Sequence, residues 1–139
     1  LTKTYRNLEH YGNPEKILND VEKQIRRRIL LQTKTLILMP RYLVELSDDI
    51  CAIIPLPEVL WIYDHAAMRR TIKGRQLSYT IHVVTMKGEE YTLTGKSHRE
   101  VSAIYHELNT RYPNFFFGYS KEHQEMVQYV LHEMKNEKA

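Results

Sequence analysis

Strand-forming residues stand on either side of Lys87-Gly88: Tyr79, Thr80, Ile81, Val83, Val84 and Thr85 before it, Tyr91, Thr92, Leu93 and Thr94 after it. Two strands and a tight turn are the expected result. At Ser97 the period changes from two to about 3.6 residues. Ser97 and Glu100 have capping-box spacing, and Val101, Ile104, Tyr105, Leu108 and Tyr112 form an apolar stripe that stops at Pro113. A hairpin that feeds a helix lying on the sheet makes the class α+β.

Upstream, Asn13 and Pro14 open a helix whose inward face carries Ile17, Leu18, Val21 and Ile25 through about Arg28, with charges opposite. Residues 1–12 have no sustained period and read as a tether or arm. Thr35–Met39 and Tyr42–Leu46 flank Pro40-Arg41 as a hairpin, Ile50–Ile54 resumes the sheet after Ser47-Asp48-Asp49, and Val59–Tyr63 begins a strand that fades near His65. Ala66 to Gln76, with Gly74 and four cations and no acid, reads as a mobile loop. After Pro113, Phe115-Phe116-Phe117-Gly118 is a connector that plugs a core edge. Ser120 then caps a last helix with Met126, Val127, Val130, Leu131 and Met134 inward. At 139 residues the expectation is a single domain over residues 13–136, with 137–139 as a tail.

Composition narrows the chemistry more than the fold. Twenty Lys and Arg against seventeen Asp and Glu leave +3, so bulk charge argues against nucleic acid. Ten tyrosines raise base stacking, with Tyr79 and Tyr91 as a pair across the hairpin, but strand and core roles account for most of these rings. The single Cys51, in an apolar run, reads as a small buried hydrophobe and points to a reducing compartment. No apolar run approaches the 18 residues of a membrane helix.

Catalytic patterns are missing from the sequence. The seven histidines do not pair at ligand spacing: His98 and His106 are eight apart, His123 and His132 nine apart. Neither a G-x-S-x-G elbow nor a glycine-rich phosphate loop occurs, and Asp48-Asp49 and Glu89-Glu90 read as solvated turn acids. The expectation is therefore a non-enzymatic chain with no catalytic residues, no metal ligands and no cofactor, with anionic-lipid binding through residues 69–75 as the alternative and an enzyme without a recognisable motif as the third reading. Two basic clusters remain. Arg26-Arg27-Arg28 suits the negative end of the first helix. Arg69, Arg70, Lys73 and Arg75, four cations within seven residues, are the candidate anion- or lipid-binding set, against the plainer reading of a solvated strand connection.

The run Leu36-Ile37-Leu38-Met39-Pro40-Arg41-Tyr42-Leu43-Val44, then Ile53 to Tyr63 with its two prolines, then the final hairpin and helix, resembles bacterial pleckstrin-homology-like domains. Phe117-Gly118-Tyr119-Ser120-Lys121-Glu122, with Tyr11-Gly12-Asn13-Pro14-Glu15, is similar to uncharacterised bacterial proteins that carry such a domain after hydrophobic N-terminal segments. The resemblance spans about Asn13 to Asn136 and brings no catalytic residues. It implies an antiparallel strand meander with one helix before it and two helices packed on the sheet after it. It also implies a cytoplasmic module of interaction or regulation, tethered to a membrane by a spanning helix upstream of Leu1. The partners expected are a protein, the chain's own membrane-anchored region, or an anionic lipid surface.

Overall fold

The computed structural model describes residues 4–5, 8–46 and 50–137. The chain is α+β and divides into two compact units, Leu1–Glu58 with Ser102–Pro113, and Val59–Val101 with Asn114–Ala139. Length alone predicts one domain; the helix His98–Arg111 contributes its first turn to one unit and the rest to the other.

In the first unit, Asn13 caps helix α1 (Pro14–Arg27): its Oδ1 accepts from the backbone N–H groups of Glu15 at 3.0 Å and Lys16 at 3.2 Å. The strands are β1 (Thr4–Tyr5), β2 (Leu31–Gln32), β3 (Leu36–Leu38), β4 (Tyr42–Glu45) and β5 (Ile50–Pro55). They form one sheet in the order β1-β5-β4-β3-β2, antiparallel except for the β1–β5 pair. The predicted Pro40-Arg41 turn is present, closed by the Met39 N–H donating to the Tyr42 carbonyl at 2.9 Å. Val21, Met39, Tyr42, Val44 and Ile53 form the core with Ile17 and Leu18 against it. Leu8, inside the segment that reads as an arm, is 2% exposed and belongs to that core. A single 3-10 turn (Leu8–Tyr11) presents it, too short to leave a period in the sequence. Cys51 lies in β5 but its side chain, like Ser47-Asp48-Asp49 and residues 138–139, is outside the described residues.

Helix α2 (His98–Arg111) buries Val101, Ile104 and Leu108, as the stripe predicts, while Tyr105 and Tyr112 are half-buried. Tyr112 donates to the Pro40 carbonyl at 3.1 Å. Tyr42 donates to Asp20 Oδ2 at 2.5 Å, joining β4 to α1.

The second unit carries β6 (Val59–Thr71), β7 (Gly74–Thr85), β8 (Glu90–Lys96), β9 (Phe116–Phe117) and α3 (Lys121–Glu137). Its sheet runs β8-β7-β6-β9, with β9 parallel to β6. The phenylalanine connector is thus an edge strand, pinned by Trp61 Nε1 donating to the Gly118 carbonyl at 2.9 Å. Ser120 caps α3, its Oγ accepting from the His123 N–H at 3.0 Å. Val127 is buried on Leu60, Trp61 and Val84, with Val130 and Leu131 beside it. Met126, expected inward, is 46% exposed, because it lies one position outside the Val127–Val130–Leu131 stripe.

Two outcomes test this packing. Ile104→Ala, at a fully buried position, is expected to lower unfolding free energy by about 2–5 kcal/mol in denaturant titration. Burial and then the Asp20 hydrogen bond push the Tyr42 hydroxyl up to about 12. The folded state therefore holds this proton where an unfolded tyrosine, at about 10, has lost it, so stability falls as pH rises through 10 toward 12. Tyr42→Phe should remove that contribution to the alkaline decline, and at neutral pH should cost about 1.5–3 kcal/mol, as for hydrogen bonds to charged groups.

Candidate functional site

The segment Ala66 to Gln76 is not a loop. Strands β6 and β7 stay paired to Thr71↔Gly74, leaving Ile72-Lys73 as a two-residue turn. Gly74 takes φ +112, and Thr71 Oγ1 donates to the Gly74 carbonyl at 3.0 Å. Alanine, lysine and arginine are weak strand formers, so composition argues for a loop here. The pairing of Trp61–His65 with the strongly β-forming Thr80–Val84 sets the register, and it runs on through Ala66↔Tyr79 to Thr71↔Gly74 because each paired residue gains its ladder bonds whatever its side chain. β8 is paired with β7 only as far as Tyr79↔Lys96, and β9 meets β6 only at Trp61 and Ile62. Past these points the two strands run on as a two-stranded ribbon, and every residue from His65 to Leu77 is exposed.

The register assigns each side chain to a face. On one face Ile62↔Val83 and Asp64↔Ile81 are followed by Ala66↔Tyr79, Met68↔Leu77 and Arg70↔Arg75. Ile62, Ile81 and Val83 are at most 1% exposed, whereas Met68 is 61%, Leu77 52% and the turn residue Ile72 107% exposed. The core stripe thus continues out into solvent. All four predicted cations are on this ribbon: Arg70 and Arg75 directly opposite one another, Arg69 on the other face against Gln76, and Lys73 in the turn. No acid occurs from His65 to Gly88.

The opposite face begins with Trp61↔Val84 and carries a run of rings that sequence spacing does not reveal. Trp61 and Tyr63 lie 4.4 Å apart between centroids, Tyr63 and His82 4.6 Å, His82 and His65 5.1 Å. His82 Nε2 is 3.3 Å from His65 Nδ1. Seventeen residues separate these histidines, so only the hairpin register brings them together. Burial, with the neighbouring His65, holds the His82 imidazole below its ordinary 6.5 against the opposing pull of Glu90. Tyr79 and Tyr91, read as a cross-hairpin pair, are not opposite: Tyr79 pairs with Lys96 and Tyr91 with Val83.

A bulge causes that offset. The register shifts between Tyr79 and Ile81, and Gly95 supplies the left-handed residue at φ +66. The extra residue inverts the alternation of β8, so that Lys96 rather than Gly95 turns inward and is 1% exposed. A cleft of about 700 Å³ opens beside it, lined by Arg69, Arg70, Lys73, Lys96, Ser97 and Glu100 among others. The predicted capping box forms at its wall: the Ser97 N–H donates to Glu100 Oε1 at 2.9 Å and the Glu100 N–H to Ser97 Oγ at 3.2 Å. Sequence reading finds the arginines and Lys73 but misses Lys96, which only the bulge brings into the lining. Tyr63 and His82, whose protonation the fold shifts, do not line this cleft.

Among the described residues no cluster of three or more His, Cys, Asp or Glu side chains is placed to hold a metal ion, and no helix is long and apolar enough to cross a membrane.

The depressed His82 gives a pH dependence of definite sign. The unfolded state binds the proton more readily, so this contribution to stability is present above 6.5 and is lost as pH falls below it. The melting temperature of the wild type should decline on acidification through this window, and His82→Gln should decline less. Parallel curves for the two proteins would remove His82 as the cause.

Residues 17–127 match the model of a family described as a domain of unknown function (DUF6709), and the chain belongs to that family. No curated protein and no solved structure matches the chain.

Proposed function

We propose that this member of the DUF6709 family is a non-enzymatic docking module of pleckstrin-homology-like fold that lies against an anionic lipid surface through its β6–β7 ribbon. The observation that carries the reading is the core-facing stripe that continues, uncovered, through Met68 and Leu77 to the exposed Ile72, with Arg69, Arg70, Lys73 and Arg75 around it. An apolar tip ringed by cations fits the boundary between headgroups and acyl chains: the tip enters, and the cations stay at phosphate level. The pleckstrin-homology-like reading is supported by the order of elements, a β2-β3-β4-β5 meander, a β6-β7-β8 meander and then α2.

Magnitudes indicate why both features matter. Each cation at an anionic surface contributes about 1 kcal/mol. Four give about 4 kcal/mol, which is only millimolar attraction. Burying Ile72 and its neighbours adds about 1.5–3 kcal/mol for each side chain fully removed from water. Docking of this strength suits a domain held on the cytoplasmic side by a second membrane attachment, where tethering raises the effective concentration. A spanning segment upstream of Leu1 is part of this proposal. A protein partner, or the chain's own membrane-anchored region, would meet the same face.

The test is cosedimentation with phosphatidylcholine vesicles containing phosphatidylserine. Wild-type protein should bind at low salt and release as the Debye length shortens to about 3 Å near 1 M. Ile72→Asp, and separately Arg70→Glu with Arg75→Glu, should lose most binding with melting temperatures nearly unchanged, while Arg26→Glu with Arg27→Glu on α1 should retain it. Equal losses from ribbon and helix variants, or no binding at low salt, would refute lipid docking by the ribbon.

A further inference from the structure

Resting on that docking reading, we infer that the cleft at the root of the ribbon is a site for a phosphate monoester, carried by a lipid headgroup. Four cations, Arg69, Arg70, Lys73 and Lys96, line it against one carboxylate, Glu100. That carboxylate, 5% exposed, accepts from the Ser97 N–H, and set against the four cations it leaves the lining with an excess of positive charge. The helix N-terminus is likewise occupied, by the capping box, and the inference does not depend on it.

The cations differ in kind. Arg69 and Arg70, on opposite faces of β6, each carry a planar fork that matches two oxygens of a phosphate, and Lys73 is a flexible point charge in the turn. Lys96, at 1% exposure, places its charge in the wall, where the lower dielectric strengthens attraction for an anion relative to the open surface. Gln76 and Ser78 add neutral hydrogen-bonding groups to the same lining. A phosphodiester brings one charge and two free oxygens, whereas a monoester brings about −1.5 to −2 and three strong acceptors. The excess of cations in the cleft fits the monoester better.

The position of the cleft favours a lipid source. Ile72 and Lys73 belong both to the tip and to the lining, so a tip inserted among acyl chains would bring the cleft to headgroup depth. A soluble sugar or glycerol phosphate has the same recognised group and is the alternative source.

Two vesicle preparations matched in surface potential separate these cases, one containing phosphatidic acid, a monoester, and one containing phosphatidylglycerol, a diester. Wild-type protein should prefer the first by about tenfold, corresponding to about 1.4 kcal/mol. Arg69→Gln with Ser78→Ala, at an exposed and a half-buried position, should make the two vesicles bind equally, with binding to phosphatidylglycerol weakened only about fivefold, the share of the one docking cation removed. Lys96→Gln should do the same if its melting temperature is retained. In a third arm, glycerol 3-phosphate should compete with phosphatidic acid for the wild type. Equal binding to both vesicles, or a preference that survives in the Arg69 and Ser78 double variant, would overturn the monoester site and leave ribbon docking standing. Saturable binding of glycerol 3-phosphate without binding to any vesicle would overturn the lipid source and the docking reading together, and would assign the cleft to a soluble phosphate ester.

Discussion

The unbroken register between β6 and β7 is the constraint on which the second unit depends. From Trp61↔Val84 to Thr71↔Gly74 each step places one pair on the covered face and the next on the other, so moving the register by one residue would put Ile62 and Val83 where Trp61 and His82 now stand. The pairing is strong enough to hold Arg70 directly opposite Arg75, an arrangement that disfavours the ribbon by some tenths of a kcal/mol. Ladder hydrogen bonds and the Thr71–Gly74 clasp offset that cost locally.

Where the sheet stops around the ribbon is decided by its neighbours. Gly95 ends regular pairing of β8 by admitting a bulge, and the chain enters α2 directly through Ser97. That sequence of bulge, inward lysine and capping box builds the wall of the cationic cleft within a few residues. On the other edge β9 is only two residues long, and Gly118 N donates to the Ile62 carbonyl just where the strand ends. The β9 edge thus ends at Ile62 and the β8 edge at Tyr79, level with Ala66, and beyond Ala66 the two strands pair only with each other and are exposed.

The first unit is self-contained by different means. Its strands are short, and its coherence comes from side chains between elements: Tyr42 to Asp20, Tyr112 to the Pro40 carbonyl, and a core that runs from Leu8 to Ile53. Glu107, 7% exposed, is paired with Arg111 one helical turn on, so the carboxylate is not left uncompensated in its buried setting. Among the described residues of this unit no apolar stripe runs out uncovered as it does on the ribbon, which is why the functional reading rests on the second unit.

The amino-acid sequence by itself determined the elements whose signal is local. Asn13-Pro14 and Ser97 with Glu100 mark helix starts because their hydrogen bonds span two or three residues, and Lys87-Gly88 marks a turn because Gly88, at φ +80, has no side chain to strain. The α+β class and the cluster Arg69, Arg70, Lys73 and Arg75 were legible for the same reason. What only the tertiary structure decided are relations between distant residues: the extension of β6 through a segment of weak strand formers, the meeting of His65 with His82, the place of Leu8 in a core, and the turn of Lys96 into the cleft. Each depends on strand register, a bulge or core packing that exists only in the folded chain, whose free energy outweighs local propensity and leaves no period in the sequence.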